Sequence, residues 1–183
     1  SYTFGEFYDD VIVVYLSQIN KEISTKEDSV DFHNLIIDHI GSLTSDQLSK
    51  MTDAKVYLYG QDAASNCSGG HKTLSAKAKE LFENGLVEFS DLDIIDPEYK
   101  TEENVNYWET NLGNSKFTVN HFFSWLDDNV DSFNKTLQDE SLNIVFWRWL
   151  KSNVGDKLIE QASNLPVILK NGSIDNIGNT IYF

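Results

Sequence analysis

One cysteine, two prolines and 14 basic side chains set against 29 acidic ones are what this chain is short of. A lone Cys67 closes no intramolecular disulfide and supplies no cysteine cluster for a structural metal, so the fold must stand on packing. Long apolar runs are missing too. The longest candidate, VIVVYL at Val11 to Leu16, falls far below the ~18 residues that mark a membrane-spanning helix.

The shortage of positive charge is local. From Glu80 to Glu140, 15 acids face 3 lysines, whereas 11 face 7 before that stretch and 3 face 4 after it, so most of the net −15 sits in the middle third. Such a surface repels phosphate backbones and anionic lipid, which argues against nucleic-acid binding and membrane insertion. Mimicry of DNA is the exception, weighed against a plain solvated face. Three sequons, at Asn66, Asn134 and Asn171, and a start at Ser1-Tyr2 suggest a trimmed chain and a lean toward an extracytoplasmic or secretory compartment.

What is present is the material of one globular domain: 183 residues, 40% apolar and 13% aromatic, enough to bury a core. Phe4, Phe7, Tyr8, Val11, Val14, Tyr15 and Ile19 recur at helical spacing, although the β-branched run Val11 to Val14 also suits a strand. A second helix is expected over Ser29 to Gly41, and a short one from Thr44 or Ser45. VYLYG then reads as a buried strand, followed by a Gly-rich loop with Cys67, a helix, and a second strand over Glu88 to Ile95. Phe122, Leu126, Val130, Phe133 and Leu137 mark one helix; Leu142, Phe146, Trp149 and Leu150 mark the next. A further helix is expected over Asp156 to Ser163, and the tail reads as two strands joined by an Asn171-Gly172 turn. A strand-helix-strand crossover is parallel and a hairpin antiparallel, so the expected sheet is mixed.

Several chemical readings compete for the loop. SNCSGGHKT follows a strand as a phosphate loop does, but His71 stands between Gly70 and Lys72 where that motif puts Gly beside Lys. Asp91, Asp93, Asp96 and Glu98 form a carboxylate group of the kind hard cations use, without EF-hand spacing; a solvated strand end is the plainer account. His33, His39, His71 and His121 lack metal-ligand spacing. No cofactor is implied. The tryptophans at 108, 125, 147 and 149 read as helical core, or as the wall of an exposed groove.

VYLYG, Cys67 ahead of a helix, LVEFSDLDI and NLPVILKNGSI together resemble the thioredoxin and glutaredoxin superfamily. The resemblance covers about Lys55 to Ile95 and Gly155 to Ile174. It implies an α/β, thioredoxin-like mixed sheet (55–95 and 155–183) with N-terminal helices (1–54) and an inserted helical subdomain (96–154), placed as in the periplasmic disulfide oxidants. It makes Pro166 the family's cis proline. It also implies a binding surface at Gly69, Gly70, His71, Leu165 and Pro166. The active site is degenerate: the family carries Cys-x-x-Cys, and here Cys67-Ser68-Gly69-Gly70 has glycine where the resolving thiol would stand, which rules out dithiol exchange within the chain.

Two functions follow from the resemblance. One is a non-catalytic module that binds a protein or peptide partner, similar to the thioredoxin-like domains of UDP-glucose:glycoprotein glucosyltransferase in the endoplasmic reticulum. The other is monothiol, glutaredoxin-like exchange with Cys67 as the catalytic thiol, activated at a helix N-terminus with His71 and Lys72 nearby. If Thr73 is the N-cap, Cys67 lies six residues upstream, beyond the reach of the helix dipole.

Overall fold

Thr3, Thr25 and Thr44 each open a helix with the same device. The threonine hydroxyl accepts from the backbone N–H three residues on, and the side chain at that position (Glu6, Asp28, Gln47) reaches back to the threonine N–H. Two N–H groups that no helix can satisfy internally are thereby paired, worth about 1 kcal/mol per cap. In the computed structural model, which describes residues 1–68, 70–87, 92–154, 162–168 and 171–176, these caps start α1 (Phe4–Phe7), α3 (Lys26–Asp38) and α4 (Ser45–Leu48). The β-branched run after α1 is helical: a π-helical stretch Tyr8–Val13 leads into α2 (Leu16–Glu22). Helix α3 begins ahead of the expected Ser29 because its cap is Thr25.

The remaining described strands and α-helices are β1 (Lys55–Tyr57), β2 (Ala64–Asn66), β3 (Lys72–Thr73), α5 (Ala76–Glu83), β4 (Ser115–Lys116), α6 (Val119–Thr136), α7 (Glu140–Asn153), β5 (Pro166–Ile168) and β6 (Ile174–Asn176), with a π-helical turn at Asn106–Asn111. The chain is of mixed helix and strand, α/β in the general sense, with helix dominant.

The strand pairing departs from the expected mixed sheet. The described strands form three separate pairs: β1 with β2 and β5 with β6, both antiparallel, and β3 with β4, parallel. The chain leaves β1, turns through Gly60 at φ 69° and returns as β2. The segment after VYLYG is therefore a hairpin and not a crossover. Ile95 bridges Leu58 in antiparallel sense, where the crossover required a parallel neighbour. Of the expected strand Glu88 to Ile95, residues 88–91 lie outside the described residues, as do 156–161 of the expected helix from Asp156. The terminal hairpin is present, with Val167 opposite Asp175 and Gly172 at φ 80° in its turn.

The chain packs as two compact units, and their boundaries do not coincide with those expected at 54, 95 and 154. The described residues of the first are 1–68, 70–74 and 92–116; those of the second are 75–87, 117–154, 162–168 and 171–176. The first is built around Tyr8, Ile36, Met51, Val56, Cys67, Ile95, Tyr107 and Trp108, each fully buried. In the second, Phe122, Phe133, Phe146 and Trp149 contact one another edge-on or tilted at 5.0 to 5.9 Å between ring centres. There Trp149 donates its indole N–H to Lys77 O at 2.7 Å. Asn143 donates to Leu137 O and Pro166 O and accepts from Ile168 N, which fastens α7 to β5.

Candidate functional site

The outer edge of β1 concentrates the polar chemistry of the first unit. Backbone groups on an unpaired strand edge must find partners once buried, and here side chains supply them. Lys55 N–H donates to Asn20 Oδ1 at 3.0 Å, and Tyr57 N–H donates to the Tyr99 hydroxyl at 3.0 Å. Lys55 O accepts from Ser29 Oγ at 2.8 Å and bonds His33 Nε2 at 2.9 Å. Ser29 and His33 stand four residues apart on α3, one turn, so both face the strand.

The direction of each proton follows from its partner. A carbonyl only accepts, so His33 Nε2 carries the hydrogen and donates to Lys55 O. Nδ1 is then the acceptor, and Tyr107 O–H donates to it at 2.7 Å. Tyr99 O–H donates to Ser29 Oγ at 2.7 Å, and Ser29 passes its own hydrogen to Lys55 O. The chain of bonds closes with each of these groups satisfied. It stands among Tyr99, Tyr107 and Trp108, whose rings lie 4.9 to 5.8 Å from the His33 ring.

Cys67 lies against this network, its Sγ 3.7 Å from His33 Nε2, and both residues are 0% exposed. A cysteine beside a histidine suggests a nucleophile with its base, but the facing nitrogen is the protonated one and has no lone pair to take the thiol hydrogen. Desolvation pushes the Cys67 thiol far above its usual range. It also holds His33 down to about 4, against a smaller upward effect of the Lys55 hydrogen bond. Burial likewise raises Tyr107 well above the ordinary phenol value and Tyr99 to about 12. At neutral pH the cluster is uncharged, a buried structural network with no route to solvent for its thiol.

Cys67 is also not where the expectation put it. It follows β2, donating its N–H to Ala54 O at 3.0 Å. The next helix, α5, is capped by Ser75, eight residues further on, so Cys67 does not stand in the first turn of that helix. Gly69 lies outside the described residues. Gly70 is exposed at φ 65°. His71 is 6% exposed and bonds Asn66 O through Nε2 at 2.8 Å. Leu165 and Pro166 belong to the second unit, where both are buried; their peptide is trans and not cis, and Pro166 O accepts from Asn143 and Trp147. Among the carboxylates weighed as a cation site, Asp91 lies outside the described residues, and Asp96 pairs with Lys26 at 3.0 Å while accepting from Glu98 N. No group of three or more potential metal-ligating side chains occurs among the described residues.

Two clefts in the first unit escaped the sequence reading. One, of about 430 Å³, is lined by Tyr15, Gln18, Ile19, Glu22, Ile23 and Asp28. The other, of about 350 Å³, is lined by Ser24, Thr25, Lys26, Tyr57, Gly60, Gln61, Asp62 and Asp96. They flank the α2–α3 turn. The helical spacing of Tyr15 and Ile19 was visible in sequence, but it signals burial and not a surface concavity. Comparison with protein-family models, with curated proteins and with solved structures finds no match for this chain.

Proposed function

We propose that this protein is a non-catalytic binding module whose partner is a protein or peptide segment. The observation that carries the reading is the state of Cys67: the only thiol of the chain is walled in and held protonated, which leaves binding as the work of the surface. Monothiol exchange needs an accessible thiolate, and Cys67 supplies neither access nor charge. The thioredoxin-like assignment draws support from the hairpin that opens at Pro166 and turns at Asn171-Gly172. The antiparallel β1–β2 pair and the trans Leu165–Pro166 peptide count against it. The binding reading stands without it.

The test pairs two assays on the whole chain and on a Cys67→Ser variant. Turnover of a glutathione mixed disulfide should be absent from both. A labelled library of short peptides graded in charge and apolar content, read by fluorescence anisotropy, should contain ligands that both proteins bind alike. Turnover that disappears with Cys67→Ser would overturn the reading, as would a library without a single ligand.

A further inference from the structure

An exposed aromatic side chain stands at the first cleft. Tyr15, 57% exposed, follows the π-helical stretch and lines the cleft together with Ile19 and Ile23. A single exposed apolar residue is ordinary; one that lines an apolar concavity marks a contact surface. The rim is acidic, with Glu22 and Asp28. Asp28 is kept ionised by hydrogen bonds, first from the Thr25 side chain and then from the Ser24 backbone.

The second cleft has the same sign. Its one ammonium, Lys26, is held at 3.0 Å by Asp96 and at 2.7 Å by Glu98. Asp96 and Glu98 already compensate that ammonium, which leaves Asp62 as the exposed carboxylate of this cleft without an ion pair among the described residues. Glu22 and Asp28 at the first cleft and Asp62 at the second favour a cationic ligand over an anionic one.

We propose that the α2–α3 junction docks an extended, basic segment of a partner polypeptide, with an apolar side chain in the Tyr15–Ile23 cleft and a lysine or arginine at Asp62 in the second cleft. The proposal rests on the binding reading above and names its site and ligand chemistry. The clefts are lined by consecutive residues, Glu22-Ile23 and then Ser24-Thr25-Lys26. The probe therefore sets its apolar and basic residues three positions apart, about 10 Å in an extended chain.

The probe is a short labelled peptide carrying Phe-Ser-Ser-Arg, with versions in which Arg becomes Glu or Phe becomes Ser, and spermidine as a cation without a peptide backbone. Protein variants are Asp62→Lys and Tyr15→Ser, both at exposed positions, with Asp31→Lys on the exposed side of α3 as a control of equal charge change; near-ultraviolet circular dichroism confirms that each folds. Either peptide change, and either cleft variant, should weaken binding about tenfold or more, while Asp31→Lys weakens it far less. Equal losses from Asp62→Lys and Asp31→Lys, or spermidine binding as tightly as the peptide, would reduce the effect to nonspecific charge and overturn the site. Peptide binding untouched by either cleft variant removes the site while the binding reading survives. Failure of every library peptide to bind removes both.

Discussion

His33 and Tyr107, 74 positions apart in sequence, are joined by a 2.7 Å hydrogen bond in which the phenol donates, because His33 Nε2 carries the ring hydrogen and donates to Lys55 O. Around that bond the outer edge of β1 is closed largely by side chains, with the Asp96 backbone N–H donating to Tyr57 O at 3.2 Å. Ser29, His33, Tyr99 and Asn20 take up backbone groups that a neighbouring strand would otherwise hold. The same arrangement buries Cys67 and keeps its thiol protonated. Its sulfur faces a nitrogen that already donates elsewhere, inside a shell of aromatic rings.

Removal of the phenol hydroxyl in Tyr107→Phe leaves His33 Nδ1 buried without a donor. The cost of an unsatisfied buried acceptor is about 1–3 kcal/mol. Urea unfolding should show that loss in the midpoint with the slope unchanged; a midpoint equal to that of the parent would mean the bond contributes nothing net.

Stability should fall as the solution is acidified from neutral pH. His33 titrates near 4 in the folded chain and near 6.5 in an unfolded one, so between those values the unfolded state binds the extra proton. Its contribution is intact above about pH 6.5 and is lost progressively down to about 4, to a total of about 3 kcal/mol at most. A His33→Gln variant, less stable at pH 7, should lose less over the same interval. Parallel pH profiles for the two proteins would show that other groups carry the acid sensitivity.

Cys67 should resist alkylation in the native protein at pH 7 and react at the ordinary rate of a free thiol once the chain is unfolded. Mass spectrometry after timed exposure to iodoacetamide measures both rates. Rapid native labelling would contradict the burial of the thiol.

In the second unit, Asn143→Ala takes partners from Leu137 O, Pro166 O and Ile168 N together. Pro166 O keeps Trp147 as a donor, so about two groups lose their only side-chain partner, at about 1–3 kcal/mol each. Protection of the Ile168 amide from hydrogen exchange should fall with the melting temperature; unchanged protection would mean that α7 does not hold β5.

The helices were legible in sequence because their determinants are local. Capping threonines stand three residues before Glu6, Asp28 and Gln47, and Phe122, Leu126 and Phe133 repeat at helical spacing. The terminal hairpin was legible for the same reason, since Asn171-Gly172 specifies a tight antiparallel turn. Cys67 was visible as a residue but not as a site. Its meaning depends on whether the chain after VYLYG crosses over or turns back, and periodicity is silent on that choice.

By itself the sequence determined where the long helices α3, α6 and α7 lie, the terminal hairpin, the acidic balance and the lack of an intramolecular disulfide, each a property of neighbouring residues or of composition. The tertiary structure alone decided that β1 pairs with β2, that α3 caps its outer edge with Ser29 and His33, and that Cys67 is buried against His33. It also formed the two clefts beside the α2–α3 turn, the second of which brings Lys26 to Asp96 across 70 positions. Such choices are made between partners far apart in the chain, where each contact is chosen by burial and by the demand of backbone groups for hydrogen bonds, and no local pattern encodes the winner.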